Sequence, residues 1–171
     1  MTDRAESPAE FGDPERTLVI ERVFKASPER VFRAWTDPKV VVTWWGPVGY
    51  TTPECELDVR TGGAWRTVMR APDGSPHPVS GVYREILPPK RLVITWANAS
   101  QAADPASYSR VSFDVAAYEE MVRLTVTHDE LEAGSGMAKG IQQGWPIVLS
   151  SLKSLLETGQ GIDVFAKPKA A

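Results

Sequence analysis

The spacing of apolar positions changes several times along the chain, and each change predicts a different element. TLVIERVF (17–24) is rich in β-branched residues and predicts a strand. SPERVFRAWTDP (27–38) switches to helical spacing, with Val31, Phe32 and Trp35 on one face. Ser27 supplies an N-cap, Pro28 takes the first helical position, and Asp37-Pro38 ends the segment. From residue 54 the period becomes two. Cys55, Leu57 and Val59 alternate with polar neighbours; after the Thr61-Gly62-Gly63 turn, Trp65, Thr67 and Met69 oppose Arg66, Val68 and Arg70. PVSGVYREI (78–86), RLVITWAN (91–98), SRVSFDVA (109–116) and MVRLTVTHDEL (121–131) follow, separated by segments rich in Pro, Gly, Ala and Asp. Val111, Phe113 and Val115 share one face, as do Val122, Leu124, Val126 and His128. Six or seven short strands joined by turn residues predict a meandering antiparallel sheet.

The last apolar pattern is helical again. Over residues 137–159, Trp145, Val148, Leu149, Leu152, Leu155 and Leu156 recur at steps of three and four, and Gly159 suits the C-cap. Pro146 predicts a kink or a restart, and Gly140 and Gly144 loosen the turns before it. A one-sided sheet must cover its apolar face, and this helix is the longest apolar element available to do so. The prediction is an α+β fold in which a curved sheet grips the terminal helix, an arrangement that can leave an internal cavity. One stretch gives two answers. In DPKVVVTWWGP (37–47), Asp37-Pro38 could cap a second short helix, whereas Val40 to Thr43 favour a strand.

Composition narrows the function. The chain has 171 residues, enough for a single core without a disulfide or metal. Polar, aperiodic residues 1–16 and 161–171 predict flexible tails around one domain at 17–160. With 19 basic against 22 acidic residues, the net charge is -3, which disfavours nucleic acid or an anionic membrane as partner. There is one cysteine, Cys55, and two histidines without metal spacing, so neither a disulfide nor a metal cofactor is expected. No signal peptide or bilayer-length apolar run is evident in the sequence, and a cytoplasmic location is the simplest expectation.

FKASPERVFRAWTDPKVVVTWWGP, LDVRTGGAW, GVYREILPPKRLVITW, LTVTHDEL and a Gly-Trp pair ahead of an apolar helix resemble, in order, one family. It is the activator of heat-shock-protein-90 ATPase homologue family, within the START and birch-pollen-allergen helix-grip superfamily, also called SRPBCC. The resemblance spans about residues 17–158 and implies a helix at residues 38–45. It also implies a space between sheet and helix for apolar ligands such as lipids, sterols and polyketides, which some members turn into an active site. The co-chaperone that names the family carries a separate N-terminal domain; here a short polar stretch precedes Thr17.

Candidate site residues follow from facing. Trp65, Met69 and Phe113 would form sheet walls, with Tyr83 and Trp96 beside them, and Trp145, Leu149 and Leu152 the helix wall. Trp45, next to the Gly46-Pro47 turn, is the candidate gate, and His128 the candidate polar anchor. The first expectation is therefore a protein binding a small hydrophobic ligand, without cofactor. A chaperone ATPase-regulating or protein-interaction module, of the kind associated with stress response, comes second and predicts a filled interior with an apolar patch around Trp44. An enzyme of the cyclase or hydrolase kind comes third, resting on superfamily analogy, and predicts polar groups converging with His128 in a cavity. The oligomeric state is left open by the sequence.

Overall fold

The computed structural model describes residues 13–47 and 49–162. The expected tails fall largely on residues 1–12 and 163–171, outside the described residues. Arg16, grouped with the first tail by composition, is joined to the domain: its Nε donates to the Leu131 carbonyl (2.9 Å), and its own carbonyl accepts from Leu131 N (3.2 Å).

Seven strands form one antiparallel sheet: β1 (Leu18–Phe24), β2 (Thr51–Leu57), β3 (Ala64–Arg70), β4 (Pro76–Leu87), β5 (Arg91–Asn98), β6 (Ser109–Tyr118) and β7 (Met121–Asp129). Their order is β1-β7-β6-β5-β4-β3-β2, a meander whose first strand returns to pair with the last. Helices α1 (Pro28–Thr36) and α2 (Pro38–Val41) connect the two edge strands. The long α3 (Gly136–Thr158) packs its apolar stripe, including Leu149 and Leu152, into the sheet's core face. Lys153 Nζ donates to the Val23 carbonyl (2.8 Å), and the Glu157 carboxylate accepts from Lys25 N (2.9 Å), tying α3 to β1. No helix of the described residues is long and apolar enough to cross a membrane.

Asp37 makes the corner between the first two helices. Its backbone N–H closes α1 on the Arg33 carbonyl, and its side chain opens α2 by accepting from Lys39 N at 2.9 Å. Helical hydrogen bonding then continues from Val41 O to Trp44 N and Trp45 N. The strand preference of Val40–Thr43 is overridden by this cap and by the burial of Val41, Trp44 and Trp45 in the core. One further expectation is narrowed and one corrected. Of the two outcomes expected at Pro146, a kink or a restart, the restart does not occur: α3 runs through it as one element. Val59 is exposed because β2 ends at Leu57, so the alternation it continued on paper has no strand beneath it. On the outer face Arg60 pairs locally with Asp58, and Arg66 on β3 reaches across to Glu54 on β2.

All six tryptophans lie in one core. Trp35 meets Trp44 edge-to-face at 4.6 Å and Phe113 at 4.0 Å, while Trp96 lies 5.4 Å from Trp65 and 5.6 Å from Trp45. Two of the buried indole N–H groups are satisfied by main chain: Trp44 donates to the Ala34 carbonyl and Trp65 to the Thr95 carbonyl, both at 3.0 Å. The second bond requires Gly81. A Cβ there would stand 1.9 Å from Thr95 O and 2.7 Å from Trp65 Nε1. Gly81→Ala should therefore push β4 off β5 and release the Trp65 bond, lowering unfolding free energy by roughly 2 kcal/mol or more. Urea denaturation checks this; a loss below about 0.5 kcal/mol, the range of a neutral surface change, would contradict it.

Candidate ligand-binding site

Two cavities adjoin inside the grip. The smaller, of about 40 Å³, lies under the α1–α2 corner. Trp35, Val41 and Trp45 form its roof, and sheet residues including Leu57, Trp65, Thr67, Tyr83 and Phe113 form its floor. The larger, of about 200 Å³, lies between the sheet and the first half of α3, beside Gly46 and Pro47. Met69 and Trp96 line its sheet side; Met137, Gly140, Ile141, Gly144, Trp145 and Val148 line its helix side. Trp45 and Trp96 belong to both walls, so the two indoles, 5.6 Å apart, form the partition. The Trp45 backbone is fixed by Thr52, whose hydroxyl donates to its carbonyl at 2.7 Å.

The space against α3 has a cause in the sequence. Gly140 and Gly144 are one helical turn apart and so share a face. A Cβ built on either meets nothing within 4 Å. Each glycine costs the helix about 1 kcal/mol relative to alanine; Gly140 is exposed and Gly144 half-buried, so the cavity wall they form opens toward solvent at Gly140. A cavity near 150 Å³ is enough for benzene, so 200 Å³ suits a molecule of one or two rings.

A model of the family described as "Activator of Hsp90 ATPase homolog 1-like protein" matches residues 25–157. The chain belongs to this family. Solved structures of similar proteins support the assignment. The protein SPO3351 from Silicibacter pomeroyi, described as AHSA1, is 31% identical, with a TM-score of 0.69 over 82% of this chain and 96% of that one. CV1439 from Chromobacterium violaceum is 28% identical, with a TM-score of 0.73 over 83% and 98%. The Aha1 dimer from Colwellia psychrerythraea, at 20% identity and a TM-score of 0.68 over 85% and 98%, shares the fold. No curated protein sequence matches the chain.

For this family member, the structure gathers most of the residues that facing had singled out. Trp45, Trp65, Tyr83, Trp96 and Phe113 line the smaller cavity, and Met69 and Trp145 join Trp45 and Trp96 around the larger. Burial pushes the Tyr83 phenol well above its usual range, so it stays neutral. Leu149 and Leu152 line neither cavity: both are fully buried, packed between α3 and the sheet. Trp44, expected near an exposed patch, is fully buried as well. Facing did not single out Trp35, Thr67, Gly140 or Gly144 as site residues. Thr67 alternates with Trp65 and Met69, which was the available signal for it; the glycines read only as weak helix.

His128 needs a different correction. It faces inward, as alternation predicts, but it lines neither cavity. Trp145 Nε1, which can only donate, bonds His128 Nδ1 at 3.2 Å. Nδ1 must therefore be the acceptor, and Nε2–H donates to Ser109 Oγ at 2.7 Å. Ser109 passes its own proton toward the Trp96 carbonyl at 3.4 Å. Both ring nitrogens are used, and a second proton at Nδ1 would set two donors against each other. Burial lowers the His128 pKa to about 3. The ring is a neutral brace between β6, β7 and α3 rather than a base facing a substrate. Cys55 is equally quiet: burial, aided by Asp37 and Glu56, pushes its thiol up to about 11.

The lowered His128 pKa links folding to pH. The unfolded chain, with a histidine pKa near 6.5, binds this proton more readily than the folded one between pH 6.5 and about 3. The stability His128 confers is thus fully present above pH 6.5 and declines as pH falls through that window. Between pH 7.5 and 5.0 the decline attributable to this ring should be about 2 kcal/mol. His128→Gln should be less stable than wild type at pH 7.5, yet lose less on acidification. Urea unfolding of both proteins at the two pH values checks this, and equal losses would show that the ring does not titrate as described.

Proposed function

We propose that the protein binds a small apolar ligand, of one or two rings, in the larger cavity between the sheet and α3, with no chemistry performed on it. The observation that carries this reading is the glycine pair on α3. Gly140 and Gly144 weaken the longest helix of the fold, and the half-buried Gly144 leaves room beside a space lined by Trp45, Met69, Trp96 and Trp145, with the exposed Gly140 at its rim. A core built for stability alone gains by filling such space. Flat aromatic walls and two flexible methionines, Met69 and Met137, suit a planar apolar guest. Trp45, on the wall beside Gly46-Pro47, is the gating residue. At this size the site favours single- or double-ring molecules over a sterol or a long lipid chain. Family membership supports the reading through the fold, and a cytoplasmic protein of this kind would serve as a carrier or sensor of such a molecule.

The test compares filling with binding. Gly144→Ala should stabilise the protein by about 0.5–1 kcal/mol through helix propensity. Gly144→Leu should also fold, placing its side chain in the cavity. Wild type should show ligand-dependent melting shifts with one- and two-ring aromatics, and native mass spectrometry should register the bound guest; Gly144→Leu should lose both signals. Unchanged binding in Gly144→Leu would sink the assignment of the site.

A further inference from the structure

We infer that the smaller cavity is the polar end of the same site, built to receive a hydrogen-bond acceptor oxygen carried by the apolar guest. This rests on the binding reading above and goes further, because it names the chemistry of the ligand. Three of the residues that line this cavity, Trp35, Trp45 and Thr67, are more than nine-tenths buried. On each of them the polar side-chain atom, Trp35 Nε1, Trp45 Nε1 or Thr67 Oγ1, has no hydrogen-bond partner among the described residues. Of the other tryptophans, Trp44, Trp65 and Trp145 have partners; a further buried polar atom without one among the described residues, Ser151 Oγ on α3, lines neither cavity. Three of the four such groups among the described residues thus belong to residues around one small space.

A buried polar group left unpaired costs roughly 1–3 kcal/mol, so three around one cavity are a standing cost that an occupant can relieve. The two indoles can only donate, and the threonine hydroxyl can donate or accept. The occupant must therefore be an acceptor. The edge-to-face stacks of Trp35 on Trp44 and Trp45 could aim an N–H at a ring, a weaker acceptor than oxygen. A carboxylate is a poor candidate, because among the described residues no cationic side chain lines either cavity and a buried anion needs a partner of opposite charge. A neutral oxygen, such as a ketone, fits donors of this kind. At about 40 Å³ the cavity takes one small group. The guest's rings occupy the larger cavity, and its oxygen enters between Trp45 and Trp96.

Two near-isosteric probes isolate the oxygen: 2-acetylnaphthalene, a ketone, and 2-ethylnaphthalene, its hydrocarbon counterpart. Their dissociation constants are measured by isothermal titration calorimetry on wild type and on Thr67→Val, which keeps the side chain's shape and removes the hydroxyl. Trp35→Phe, which removes one indole N–H, serves as an independent second variant, and circular dichroism verifies that both fold. Each lost hydrogen bond should weaken the ketone about 3- to 10-fold more than the hydrocarbon. Parallel changes for the two probes, or an unchanged ketone affinity in both variants, would overturn the inference and leave apolar binding standing. Failure of wild type to bind either probe would overturn the inference and the binding reading together.

Discussion

The architecture depends on keeping six indoles in one core without leaving their N–H groups stranded. Tryptophan contributes the largest apolar surface of any side chain, but each ring carries a donor that burial makes expensive. The chain solves this element by element. The α1 backbone accepts from Trp44, the β5 backbone accepts from Trp65 across a glycine, and a neutral histidine accepts from Trp145. The first bond closes the α1–α2 corner on itself, the second ties β3 to β5 within the sheet, and the third joins α3 to the sheet.

Where that solution stops, the two cavities begin. Trp35 and Trp45 keep unpartnered donors, and both border the smaller cavity. On the far side of Trp45 the helix offers glycine where an amphipathic pattern would offer a side chain. Incomplete hydrogen bonding and incomplete packing therefore adjoin at a single partition. Local sacrifices of stability grouped in this way are characteristic of sites that exist for a second molecule.

Much of this was legible in the sequence, and what was not has physical reasons. Alternation told which faces of β3, β6 and β7 point inward, because a side chain's direction in a strand is a local property. It placed Trp65, Thr67, Phe113 and His128 correctly but could not tell lining from packing, which depends on what stands opposite. For His128 the opposite group is Trp145, 17 residues further along the chain, and that pairing turned a candidate anchor into a brace. The glycines of α3 had the same difficulty in reverse. A missing side chain reads as weak propensity until the surrounding walls are known. Residues 37–45 stayed ambiguous to local reasoning for the opposite cause, since the valines' preference was real but smaller than the energy of burying two tryptophans; the family resemblance implied the helix that forms there.

The strand order carries a consequence for how the chain is made. Among the described residues strand β1 has one neighbour, β7, with Leu18 opposite His128 and Phe24 opposite Val122. The meander from β2 to β7 can zip up as it leaves the ribosome, each hairpin pairing with the one before. The first strand cannot; its partner is synthesised about a hundred residues later, and closing so long a loop is entropically costly and slow. Until then the apolar residues of β1 have no strand beside them. The end of the chain that emerges first is thus the last to be buried, and during that interval it is the segment most open to capture by a chaperone or by another nascent copy.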